Sequence, residues 1–132
     1  MTEDETAIRD VIELWAGAVR AGDIDEILAR HTDDVVIFDV PMPPQSVGLD
    51  AYRKTWELFF QYNSGGPGSF DVDELTVTAD ETVAFCFGFV RIFDARVRIT
   101  IGLRKQGGAW TIAHEHHSYP AGLPEEEAWK PS

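Results

Sequence analysis

At 132 residues, 44% of them hydrophobic and including eight Phe and four Trp, the chain has the size of one domain and the material for a packed core, so a single domain over 1–132 is expected. Its net charge of -12, from 23 acidic against 11 basic residues, would repel a phosphate backbone or an anionic bilayer and argues against nucleic-acid and membrane partners. The single cysteine, Cys86, excludes an internal disulfide; with an acidic start at Glu3-Asp4-Glu5 and no apolar run of membrane-spanning length, a cytoplasmic protein is expected.

The spacing of Ile8, Val11, Ile12, Trp15, Ala18 and Val19 predicts a helix over about Glu5–Ala21. Gly22 stops it, and Asp23 caps a short second helix whose apolar side is Ile24, Ile27 and Leu28. Val35–Val40 reads as a strand, ended by Pro41-Met42-Pro43-Pro44. Leu49, Tyr52, Trp56, Phe59 and Phe60 keep a helical period, giving a third helix over about Leu49–Tyr62, and a Gly-rich breaker follows.

Four extended runs complete the chain: Phe70–Thr78, Thr82–Phe93, Arg96–Lys105 and Trp110–Tyr119. The tight joints between them predict an antiparallel meander. In the first run the apolar phase shifts from Phe70 and Val72 to Leu75 and Val77, which predicts a bulge. Helices first and strands after give an α+β class, with three helices on one face of a curved sheet. Val83, Phe85, Phe87 and Phe89 alternate with Ala84, Cys86, Val90 and Ile92, so both faces of that strand are apolar. Three helices cannot cover both, and a second copy of the chain is the simplest cover. Cys86 reads as a small buried hydrophobe. The run from Pro124 through Glu125-Glu126-Glu127 reads as a frayed tail.

Three stretches, in order, resemble the SnoaL-like branch of the nuclear transport factor 2-like superfamily. They are Trp15 to Asp23 with its Ala-Gly-Asp corner, His31 to Asp39 with Gly48 to Arg53 after it, and Trp110 to Pro120 with its His-x-His. The resemblance implies a cone-shaped cystatin-like fold, three N-terminal helices on a mainly antiparallel sheet, around a pocket for a small, largely apolar molecule. The superfamily hosts isomerases, cyclases, dehydratases, hydrolases and non-catalytic modules, so the fold alone does not choose among them. The last stretch also resembles the association domain of calcium/calmodulin-dependent protein kinase II, which assembles subunits.

Ketosteroid isomerases, members of the same superfamily, use an Asp base with an oxyanion hole of one Tyr and one protonated Asp. The resemblance places Asp39 at the base position. Trp15 stands where the Tyr would be and Ile101 near the second Asp, so that activity itself is not expected. It implies instead cofactor-free acid–base chemistry on a small hydrophobic carbonyl compound, with a non-catalytic dimeric binding or association module as the alternative. The bland reading of Asp39 is a carboxylate that caps the turn before the prolines.

Strand alternation puts His114, His116 and Ser118 on one face with Ile112, and Glu115, His117 and Tyr119 on the other. On that parity His116 is the catalytic partner of Asp39, and His114 and Ser118 contact the ligand; the bland reading is a pair of core or interface histidines. Trp15, Trp56 and Phe59 are expected as apolar walls. Arg98, with Arg96 and Thr100 on its face, would meet an anionic or carbonyl ligand if that face lines the pocket, a parity left open here. His114, His116 and Asp39 could be imagined as a metal set, but they do not close one, and no phosphate-cradling glycine motif is present; no metal and no organic cofactor are expected.

Overall fold

The computed structural model describes residues 2–120. The acidic run Glu125 to Glu127 lies outside the described residues. The chain folds as α1 (Glu3–Ala21), α2 (Ile24–Ala29), β1 (His31–Phe38), β2 (Ser46–Val47), α3 (Leu49–Tyr62), β3 (Asp71–Ala79), β4 (Val83–Ile92), β5 (Ala95–Gln106) and β6 (Ala109–Ser118). Local chemistry sets the helix ends. The Glu5 N–H donates to Thr2 Oγ1 at 3.1 Å at the start of α1, and Gly22, in the left-handed region at φ 69°, closes its end. Asp23 then accepts from the Glu26 N–H at 3.2 Å and starts α2.

The six strands form one curved sheet in the order β2-β1-β6-β5-β4-β3. β3 to β6 are the expected meander. β1 joins β6 in parallel, and β2, a two-residue strand with no signal in the sequence, pairs antiparallel with β1. The α+β class and the helices-on-one-face arrangement hold. α1 packs on β3 and β6, and α3 on β1 and β2. The core between them is built on Ile8, Ile12, Trp15 and Val19 of α1, Tyr52 and Trp56 of α3, and Ile99, Ile101 and Leu103 of β5. Cys86 lies in this core, and burial pushes its thiol up to about 12, which keeps it protonated and inert.

Two bulges decide which side chains face the helices. The first is the expected one: the β3–β4 register slips between Asp73 and Thr76, with Glu74 at φ 52°. Gly88 of β4 lies under it, where a Cβ would come within 2.9 Å of the Asp73 carbonyl oxygen. The second is in β6. Leu103 pairs with Ile112 but Gly102 pairs with His114, so Ala113 is an extra residue. Beyond it the parity inverts. Glu115 and His117 turn toward the helices, beside Ile101 and Ile99, while His114, His116 and Ser118 turn to the outer face.

Candidate functional site

A cavity of about 500 Å³ opens between α3, the end of β1 and the inner face of the sheet. Trp56, Leu58, Phe59, Phe70, Ile92 and Val97 supply apolar wall, and the rim carries the exposed side chains of Val40, Tyr62 and Tyr119. Among the described residues no Lys or Arg lines it. Its ionisable groups away from the rim are Asp39 and His117.

Sheet geometry brings those two together. Asp39 follows β1 on the side of Val35 and Ile37, which are buried under the helices. Parallel pairing sets Phe38 beside His116, so the next step along both chains puts Asp39 beside His117. Asp39 Oδ1 lies 3.6 Å from His117 Nδ1, beyond hydrogen-bond reach but close enough to feel its charge. Asp39 also accepts from the Val40 N–H at 2.8 Å, so the turn-capping reading and the cavity position coexist.

The other ring nitrogen of His117 is committed. Its Nε2–H donates to Glu115 Oε1 at 2.8 Å. Glu115 is fully buried, and its Oε2 meets Tyr52 Oη at 2.5 Å and His31 Nε2. Burial opposes the Glu115 charge, but the charge of His31 and the hydrogen bond from His117 outweigh it and hold the carboxyl at about 2. Burial likewise opposes the charge on His117, but the hydrogen bond and charge of Glu115, with Asp39 behind them, keep its pKa above the ordinary imidazole value. The site therefore holds an imidazole whose pKa is raised and whose Nδ1 faces the cavity, with the Asp39 side chain beside it, in mainly apolar walls.

The family model for SnoaL-like domains matches residues 8–122. The chain belongs to the SnoaL-like family. Among solved structures it is similar to a nuclear transport factor 2-like protein of unknown function from Pseudomonas putida KT2440, at 36% identity and TM-score 0.83 over 99% of each chain. It also resembles a ketosteroid isomerase-like protein from Erwinia carotovora atroseptica, at 20% identity and TM-score 0.69, over 92% of this chain and 100% of the other. A third likeness is a putative calcium/calmodulin dependent protein kinase II association domain from Xanthomonas campestris, at 18% identity and TM-score 0.72, over 89% and 86%. These two likenesses show the fold alone, and a Nostoc punctiforme protein described as having a cystatin-like fold matches at TM-score 0.79, with 12% identity over 94% of this chain and 96% of the other. No curated protein matches the chain.

In this SnoaL-like chain the sequence-derived site divides between the two faces of the sheet. Asp39, Trp56 and Phe59 line the cavity. Trp15 stands one layer behind, fully buried, with edge-on contacts to Trp56 and Phe70 at ring distances of 6.3 and 5.1 Å. His116 is a correction: it is exposed on the outer face, where the Phe38 ring packs edge-on against it at 5.3 Å. His114 is on that face as well, with Nδ1–H donating to the Val36 carbonyl at 2.6 Å. Arg98 and Ser118 bond each other there at 3.0 Å, away from the cavity, which settles the open parity of β5. The imagined metal set is thus split across the sheet, and no other group of three such ligands occurs among the described residues. The periodicity of the sequence alone does not single out His117, Glu115, Tyr52 and His31 as site residues. The signal that could have found them is Gly102, a lone glycine within an apolar strand, which marks a bulge opposite it.

Proposed function

We propose that this SnoaL-like chain catalyses acid–base chemistry, of isomerase, cyclase or dehydratase type, on a small, neutral, apolar carbonyl compound, without an organic cofactor or metal. The observation that carries the reading is the pairing of Asp39 with His117 in the wall of a mainly apolar cavity. Asp39 removes a proton from the carbon next to the carbonyl. The His117 Nδ1–H, which makes no direct hydrogen bond to Asp39 at 3.6 Å, donates to the carbonyl oxygen as negative charge develops there. Glu115 holds the ring in place, as the third group of a catalytic triad orients its base. The protonated Asp39 then returns the proton to a second carbon or to a leaving group. The absence of Lys and Arg from the described wall favours a neutral ligand over an anion.

The test is deuterium exchange into the α-positions of a panel of cyclic ketones and enones, followed by proton NMR. Exchange by the wild type that is lost in Asp39→Asn supports the reading. Binding of the same compounds with no exchange defeats it and favours a non-catalytic ligand-binding module. We further propose that the chain works as a homodimer through the outer sheet face, with neither nucleic acid nor membrane as partner. Val83, Phe85 and Phe87 stand exposed on that face. Among the described residues no helix is long and apolar enough to cross a membrane.

A further inference from the structure

Behind His117 lies a layer of buried polar side chains that packing alone does not call for, because apolar residues of the same volume would carry no desolvation cost. His31, at the start of β1, donates its Nδ1–H to the Ile27 carbonyl at 2.7 Å. A carbonyl only accepts, so Nδ1 must hold a proton. His31 Nε2 then faces Glu115 Oε2 and lies 2.7 Å from Tyr52 Oη. Tyr52 Oη in turn lies 2.5 Å from the same carboxylate oxygen. A carboxylate has no proton to offer and a phenol has one. The contact of His31 Nε2 with Glu115 Oε2 therefore needs a proton shared between them; without it two lone pairs would face each other in the core. Burial and the Glu115 charge push the Tyr52 phenol well above its ordinary range, so it stays a donor. The indole N–H groups of Trp56 and Trp15 also face the Tyr52 oxygen without reaching hydrogen-bond geometry.

We propose that Tyr52 and His31 are positioning residues for His117: by holding Oε2 of Glu115 they leave Oε1 to the His117 Nε2–H, and so fix Nδ1 as the ring nitrogen that faces Asp39 and the cavity. The proposal rests on the reading of Asp39 and His117 as the proton-handling pair. A lone carboxylate could swing its plane out of line with the His117 Nε2–H. This one is held on its far side from two separate elements, β1 and α3, so turning it breaks both contacts. The tautomer of an imidazole follows the hydrogen bond made by its other nitrogen. The charged and titratable groups around Glu115 and His117 are then His31 from β1, Tyr52 from α3 and Asp39 after β1.

The test is nitrogen NMR of the histidine-labelled full chain across pH, following the two ring nitrogens of His117. In the wild type Nε2 is expected to stay protonated while Nδ1 titrates. Tyr52→Phe keeps the ring and removes the hydroxyl; His31→Gln removes the imidazole. Each is expected to free the ring from Glu115, so that neutral His117 also populates the Nδ1–H tautomer, and to lower α-proton exchange through kcat by about tenfold or more with KM little changed, because a ring free to turn no longer holds Nδ1 toward the carbonyl. Neutral His117 that remains wholly the Nε2–H tautomer in folded Tyr52→Phe overturns the proposal, whether or not His31→Gln folds. The tautomer is read without turnover. A wild type that exchanges no proton therefore defeats the acid–base function, while the positioning of His117 is still decided by its ring nitrogens.

Discussion

Glu115 Oε1 accepts the Nε2–H of His117 at 2.8 Å, and this one bond couples a fully buried carboxylate to a group in the cavity wall. It also makes stability depend on pH from both sides. The folded Glu115 carboxyl is held at about 2 against 4.5 unfolded, so its contribution is complete above 4.5 and is lost as pH falls toward 2. For a buried, coupled group the size is on the order of 3 kcal/mol. The folded His117 is held above its unfolded 6.5, so its contribution is complete below 6.5 and is lost as pH rises through the folded value. Thermal melting across pH is expected to show a stability maximum between 4.5 and 6.5. Glu115→Gln should make the acid limb shallower, and His117→Gln the alkaline one. An acid limb unchanged in Glu115→Gln would remove Glu115 as its cause.

Asp39 touches the rest of the fold through the Val40 N–H, a bond that an asparagine oxygen can also accept. Asp39→Asn should therefore fold like the wild type and keep its apolar walls, while α-proton exchange falls by about 10²–10⁴-fold, the scale of a lost general base. Quenching of Trp56 fluorescence by a neutral cyclic ketone reports binding separately from exchange. If both binding and melting temperature collapse in Asp39→Asn, the carboxylate is structural rather than a base.

The two bulges show why part of this was legible in the sequence. In β3 the apolar phase visibly slips between Val72 and Leu75, and the structure has its irregularity between Asp73 and Thr76. In β6 the alternation of Trp110 and Ile112 runs into His114-Glu115-His116-His117-Ser118, where no apolar side chain marks the phase. Strict alternation carried through Ala113 puts His116 inside and His117 outside, and the bulge exchanges them. Asp39, Trp56 and Phe59 were legible because each is placed by an element with its own strong period, β1 or α3. In the sequence Tyr52 is one more residue of the α3 stripe; only the fold shows its hydroxyl on a carboxylate 63 positions away.

Gly88 offers a check on the β3 bulge. A Cβ there would meet the carbonyl oxygens of Asp73 and Glu74 at 2.9 and 3.0 Å and Leu75 Cα at 3.1 Å, all of them backbone atoms. The bulge brings the β3 backbone over β4 and leaves no side chain that could swing aside. Gly88→Ala should cost about 1–3 kcal/mol, the range for overpacking, in urea unfolding at equilibrium. A neutral effect would mean that β3 runs further from β4 than described.

The outer face of the sheet carries the last prediction. Phe85 and Phe87, each 49% exposed, stack with ring centres 6.5 Å apart, and Phe38 lies on the same face between the rings of His114 and His116. Arg96 pairs with Glu74 and sits 3.7 Å over the Phe89 ring, and Arg104 bonds Asp34 at 3.0 Å. These arginines are thus paired within the chain. Exposed aromatic rings at this density lower the free energy when a matching patch covers them, and the sheet face of a second copy presents the same residues about a twofold axis. A stable homodimer of this kind buries roughly 2,000 Å² or more in total. Light scattering after gel filtration at micromolar concentration should give twice the chain mass. Phe87→Arg, which sets like charges against each other across the twofold while leaving the inner face untouched, should give a folded monomer with the wild-type far-ultraviolet spectrum. A wild type that runs as a monomer would defeat the dimer, and a Phe87→Arg that stays dimeric would place the interface elsewhere; either outcome leaves His114 and His116 as solvent-facing side chains.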